Sequence, residues 1–220
     1  MRHLFLMTIM ALATACVQQA QTTFEKGMQA YEQGDYEQAY AKMLALSEAG
    51  RADAQFNLGQ FYRQGHGTAQ NYVEAMRWYC RAAYGGDKNA VSFIGVMYED
   101  GLGMPSDQVK AMQWYRMAAD LNAPFGQLIL AREYAEGGSL PKDPVKAHFW
   151  LNLLFLQDLS YLGHDWETVQ YIDDLETKMT PQQIQANTDA VKAWKPVPFD
   201  TLFGRIKSSE ACRKTLAHVQ

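Results

Sequence analysis

The chain has 220 residues, with 20 lysines and arginines against 24 aspartates and glutamates, and is 48% apolar and 20% charged. That balance supports a packed core and excludes a disordered tail, while 16 glycines and 7 prolines exclude collagen-like and proline-rich chains. A net charge of -4 with no long basic run argues against nucleic acid, whose phosphates need clustered lysine or arginine, and against acidic substrates.

The chain opens Met1-Arg2-His3 and continues through an almost unbroken apolar run from Leu4 to Ala13, with no acidic residue before Glu25. A short positive start and an apolar stretch below the about 20 residues of a bilayer span read as an export signal over residues 1–15. Its end, Leu12-Ala13-Thr14-Ala15-Cys16, has two readings. The small Ala13 and Ala15 suit an ordinary signal peptidase and a soluble periplasmic or secreted product. The same stretch with Cys16 resembles a bacterial lipobox, departing from it at Ala13, where lipoboxes carry leucine. That resemblance implies a lipid on Cys16 and anchoring at the outer membrane, the one membrane contact expected.

Residues 24–52 read as a helical pair. Ala39, Leu46 and Gly50 stand 36 residues before Ala75, Ala82 and Gly86, but Tyr31 and Gly34 stand only 31 before Tyr62 and Gly65. The turn Gly34-Asp35-Tyr36 is therefore five residues shorter than those that follow.

From 53 to 156 the chain repeats itself three times with a period of 36. Tyr62, Tyr98 and Tyr134 align, as do Gly65, Gly101 and Gly137; Val73, Val109 and Val145; Ala75, Ala111 and Ala147; and Trp78, Trp114 and Trp150. Each copy reads as two helices. The first ends at a glycine turn, Gly65-His66-Gly67 or Gly101-Leu102-Gly103, and the second starts at a short polar cap, Asn71, Asp107 or Asp143. Gly59, Gly95 and Ala131 in mid-helix suggest a close crossing against Ala75, Ala111 and Ala147. The tryptophans and tyrosines read as core rather than as a stacking platform for sugars or bases.

The second copy, Ile94-Gly95-Val96-Met97-Tyr98, Gly101-Leu102-Gly103, Asp107, Lys110-Ala111, Trp114-Tyr115 and Ala118-Ala119, resembles the Sel-one-like repeat family, relatives of the tetratricopeptide repeats. The third copy departs most, with Ser139, Leu154 and Phe155 in place of Gly, Ala and Ala. The resemblance implies an all-α solenoid of stacked antiparallel helix pairs, with residues 24–52 as its N-terminal capping pair. Residues 157–196 are expected to cap the other end. There Asp165 to Met179 reads as one helix, and Thr180-Pro181-Gln182-Gln183 opens another with a capping box. The tail, 197–220, has no named match; one or two short helices with a cap at Ser208 or Ser209 are expected.

Catalytic and metal motifs are missing. The histidines at 3, 66, 148, 164 and 218 form no pair three or four apart, and no nucleophile elbow, phosphate loop or Rossmann fingerprint occurs. His66 reads as solvated and His148, at the register of Met76 and Met112, as a core histidine. Adjacent carboxylates such as Glu99-Asp100 and Asp173-Asp174 point about 100° apart on a helix and read as solvated faces. No cofactor and no metal is expected. Cys80 and Cys212 are expected as two unpaired, partly buried thiols, a disulfide between them being the alternative.

The family resemblance implies a non-catalytic scaffold that binds a protein or peptide in the bacterial envelope. Tetratricopeptide groove positions carried over by that resemblance are Phe56, Gln60 and Arg63; Ser92, Val96 and Glu99; and Leu128, Arg132 and Glu136. Two alternatives stand beside it: an envelope structural or assembly lipoprotein acting through Cys16 and the tail, and a β-lactam-binding or hydrolysing enzyme. The enzyme branch carries a cysteine pair in each repeat, whereas Cys80 stands alone in its own. The oligomeric state is left open by the sequence.

Overall fold

The computed structural model describes residues 2–155, 166–209 and 212–213, and among these described residues eleven helices are formed. The join between the third repeat and the capping helices, 156–165 with His164, lies outside the described residues, as do 214–220 with His218. None of the described helices is long and apolar enough to cross a membrane. The chain divides into two compact units, Met1–Asp87 with Ser209–Gln220, and Lys88–Ser208.

In the first unit α1 (Arg2–Glu32) packs on α2 (Tyr36–Glu48), α2 on α3 (Ala52–Gln64), and α3 on α4 (Tyr72–Tyr84). The residues read as an export signal thus open one continuous helix that runs on into the capping pair. Gly34, at φ +80°, makes the short turn, and Asp35 caps α2 by accepting from the Gln38 amide. The α3–α4 turn is longer because Gly65 and Gly67 both take positive φ, and Asn71 then accepts from the amides of Val73 and Glu74. Ala39, Met43, Leu58, Phe61 and Trp78 form the core between these helices.

Cys80, on the buried face of α4, is bonded to Cys212 with the α-carbons 5.2 Å apart. This corrects the expectation of two free thiols. Sequence alone could not bring together residues 132 positions apart, and both sulfurs lie in fully buried side chains. Cys212 follows Ser209, whose hydroxyl accepts from the Cys212 amide and whose carbonyl accepts from the Arg213 amide, the cap expected there. Cys16, exposed on α1, is the free cysteine among the described residues.

In the second unit α5 (Lys88–Glu99) pairs with α6 (Gln108–Asp120), and α7 (Pro124–Glu136) with α8 (Pro144–Phe155). α9 (Trp166–Glu176) and α10 (Pro181–Ala193) both pack on α8, and α11 (Phe199–Ser208) follows. α10 opens with the expected capping box: Thr180 Oγ1 accepts from the Gln183 amide, and the Gln183 side chain accepts from the Thr180 amide. Leu130, Ala147, Trp150, Leu151, Leu175 and Val191 lie in the core that joins the third repeat to the capping helices.

His148 is buried, as expected, and serves as a fastener. Its Nε2 lies 3.0 Å from Glu176 Oε1 on α9, and its Nδ1 lies 2.8 Å from Asn187 Nδ2 on α10. Asn187 also donates to the Val145 carbonyl, so two capping helices are tied to α8 by side chains whose partners fix their rotamers.

Candidate functional site

The first helix of each repeat, α3, α5 or α7, carries the residues expected to meet a partner, and in the first two repeats a tyrosine from the second helix bonds to one of them. In the first repeat the Tyr79 ring lies where a Cβ on Gly59 would approach to 2.6 Å. The close crossing of the mid-helix glycine is therefore against an aromatic ring, with the Ala75 carbonyl behind it at 3.3 Å, rather than against the alanine side chain expected from sequence. The Tyr79 hydroxyl donates to Gln60 Oε1 at 2.9 Å, and Arg63 Nε donates to the same oxygen at 3.0 Å. Burial pushes the Tyr79 phenol pKa well up, with Arg63 opposing it.

The second repeat repeats the arrangement with a different acceptor. A Cβ on Gly95 would meet the Tyr115 ring at 2.7 Å, and the Tyr115 hydroxyl donates to the Glu99 carboxylate. Burial and then Glu99 raise the Tyr115 phenol pKa, while Arg132 opposes the rise. In the third repeat the tyrosine is replaced by Leu151 and the glycine by Ala131, both buried.

Of the nine residues expected on this face, Gln60 and Glu99 are thus committed to tyrosines of their own repeats, and Arg63 donates to Gln60. Phe56 is half-buried with its ring 5.9 Å from Tyr79. Ser92 is a correction: it is fully buried, its hydroxyl has no partner, and it meets no solvent. The helix turns so that Phe93 takes its place, half-buried and stacked 5.8 Å from Phe125. Val96 is half-buried, and Leu128, Arg132 and Glu136 are exposed. On α7 Phe125 is 37% and Leu128 39% exposed. Sequence reasoning missed Phe93 and Phe125, because at the Phe125 register the other copies carry Asp53 and Asn89 and no periodic signal marks it.

His66 is not a solvated turn residue. Its ring stacks on Tyr36 at 4.1 Å between centroids and 9° between planes, and its Nδ1 is buried without a partner. Among the described residues no group of three or more histidines, cysteines or carboxylates is placed to hold a metal ion.

Residues 52–87, 89–122 and 124–157 match the Sel1 repeat. The chain is similar to a Sel1 repeat protein from Oxalobacter formigenes, 27% identical with a TM-score of 0.60, the match covering 81% of this chain and 73% of that one. It is also matched to c5321, a protective antigen present in uropathogenic Escherichia coli strains displaying an SLR fold, at 20% identity and a TM-score of 0.40 over 90% of this chain and 48% of that one. A stretch of 73 residues is 37% identical to the chitin synthase regulator SKT5 of Saccharomyces cerevisiae, which covers 33% of this chain and 9% of that protein.

Proposed function

The chain is a Sel1-repeat protein, and from that premise we propose that it is an exported scaffold which binds a protein or peptide in the bacterial envelope without catalysing a reaction. Sel1-repeat proteins are in general protein-interaction scaffolds and typically non-catalytic. The observation that carries the reading here is the pair Phe125 and Leu128, large apolar side chains left in solvent on a first-helix face of the repeats. Export is supported by the buried Cys80–Cys212 disulfide, since such bonds persist in oxidising compartments, together with the charge and apolar pattern of residues 1–15. A pulldown from crosslinked cells tests it: a recurrent protein prey is expected, lost in Phe125→Asp with Leu128→Asp at unchanged helicity. Prey unaffected by that variant would remove this face from the account.

A second reading, an anchored assembly lipoprotein, is favoured by one observation: Cys16 is exposed and unbonded. The tail offers less to this reading, because Leu202 and Ile206 of α11 are buried and Cys212 is bonded into α4. Mass spectrometry of the mature N-terminus separates the two, a lipid on Cys16 supporting the anchor and an unmodified start after Ala15 opposing it. The cysteine-rich enzyme branch is further disfavoured, since Cys80 pairs with the tail and not within its repeat.

A further inference from the structure

A buried tyrosine hydroxyl needs an acceptor, and in the first two repeats the polar residue that supplies it comes from the first-helix face: Gln60 for Tyr79 and Glu99 for Tyr115. Those side chains are occupied. Moving either toward a ligand would strip a phenol of its partner in a poorly solvated place. The third repeat breaks the rule. Leu151 has no hydroxyl, Ala131 fills part of the space that a ring would take, and Arg132, at the register of Gln60, stands exposed. Among the described residues Arg132 makes no hydrogen bond or ion pair, and its charge is felt by the Tyr115 and Tyr171 hydroxyls.

Arg132 shares one face of α7 with Leu128, four residues before it, and Phe125, seven before it. We infer that this face of the third repeat is the ligand-recognition element of the protein, and that its ligand is a polypeptide segment placing one carboxylate beside an apolar side chain. The inference rests on the scaffold reading above and names the chemistry of its partner. A guanidinium offers a planar fork of N–H donors that a carboxylate fits in two-point fashion, and Leu128 and Phe125 take the apolar neighbour. Glu136, exposed one turn beyond Arg132 on the same helix, would repel a run of negative charge, which disfavours a polyanion.

The test uses the full, disulfide-intact chain and three fluorescent pools of short peptides. All share a random leucine, phenylalanine and valine frame, and they differ only in carrying Asp/Glu, Asn/Gln or Lys at the polar positions. Fluorescence anisotropy is expected to show the acidic pool binding about tenfold more tightly than the amide pool, the value of one charge-assisted hydrogen-bonded pair. Arg132→Gln should erase that preference while residual apolar binding remains, and Arg63→Gln should leave it intact. Equal binding of the acidic and amide pools, or a preference that survives Arg132→Gln, overturns the inference and leaves the scaffold reading standing. Absence of binding by every pool overturns both for this face.

Discussion

In the first repeat Tyr79 lies against Gly59 and donates a hydrogen bond from its hydroxyl to Gln60, whereas in the third the same three registers hold Leu151, Ala131 and an exposed Arg132. Cys80 marks a second contrast: it is bonded to the tail, while its register holds Arg116 in the second repeat and Asn152 in the third. Copies of one repeat thus divide the work. The first is tied internally and covalently, and the third leaves its polar position to solvent. Equivalent register therefore does not carry equivalent role, because what a first-helix side chain is free to do depends on whether the facing residue has a hydroxyl to satisfy.

The largest way to break this contrast is to remove the disulfide. Cys80→Ala with Cys212→Ala, or reduction of the native protein, is expected to lower stability by about 2–4 kcal/mol in denaturant titration, since the bond closes a ring across 132 positions. No change would put Cys80 on a par with Arg116 and Asn152. Next, Gly59→Ala pushes a methyl into the Tyr79 ring and is expected to cost about 1–2 kcal/mol net of its better helix propensity. Adding Tyr79→Leu copies the third repeat and should restore part of the loss, a non-additivity of at least about 0.5 kcal/mol in the cycle. Strict additivity would deny that glycine and tyrosine are coupled.

A smaller effect sharpens the special character of the third repeat. His148→Met restores the residue of the other copies but removes the contact to Glu176 and one of the two contacts of Asn187, and should cost about 1 kcal/mol by thermal unfolding. A gain in stability would show that the fastener is not needed. The smallest concerns the caps. The Lys110 amide, with help from its side chain, holds the Asp107 carboxyl below its ordinary 3.8, so the cap stabilises above that pH and its contribution is lost as pH falls through the lower folded value. Asp107→Ala should melt slightly earlier at neutral pH and coincide with the parent in strong acid.

Much of this was legible from the chain itself. The period of 36, the polar caps at Asn71 and Asp107, the glycine turns and the Thr180 capping box each depend on residues close in sequence, and each is found where local chemistry places it. What escaped depends on distance or on rotation about a helix axis. Cys80 and Cys212 meet only through tertiary folding, and Ser92 and Phe93 exchange inside and outside through one residue step of about 100°. The mid-helix glycines were legible as a close approach, but alanine and tyrosine lie on the same facing helix, and sequence spacing did not say which of them filled the gap. The exposed Arg132 beside Leu151 stands at the registers of Gln60 and Tyr79, a pair of substitutions visible in sequence whose setting needs the Tyr79–Gln60 contact to be seen.

The claim that binding happens on the first-helix face of the third repeat is tested most directly by photocrosslinking in intact cells. A photoreactive phenylalanine derivative is placed at Leu128, or, as a control on a second helix of the same unit, at Val109, which is 70% exposed. The account predicts a discrete protein adduct from position 128 that Arg132→Gln weakens, and none from position 109. An adduct from 109 equal to that from 128, or none from 128, would contradict it.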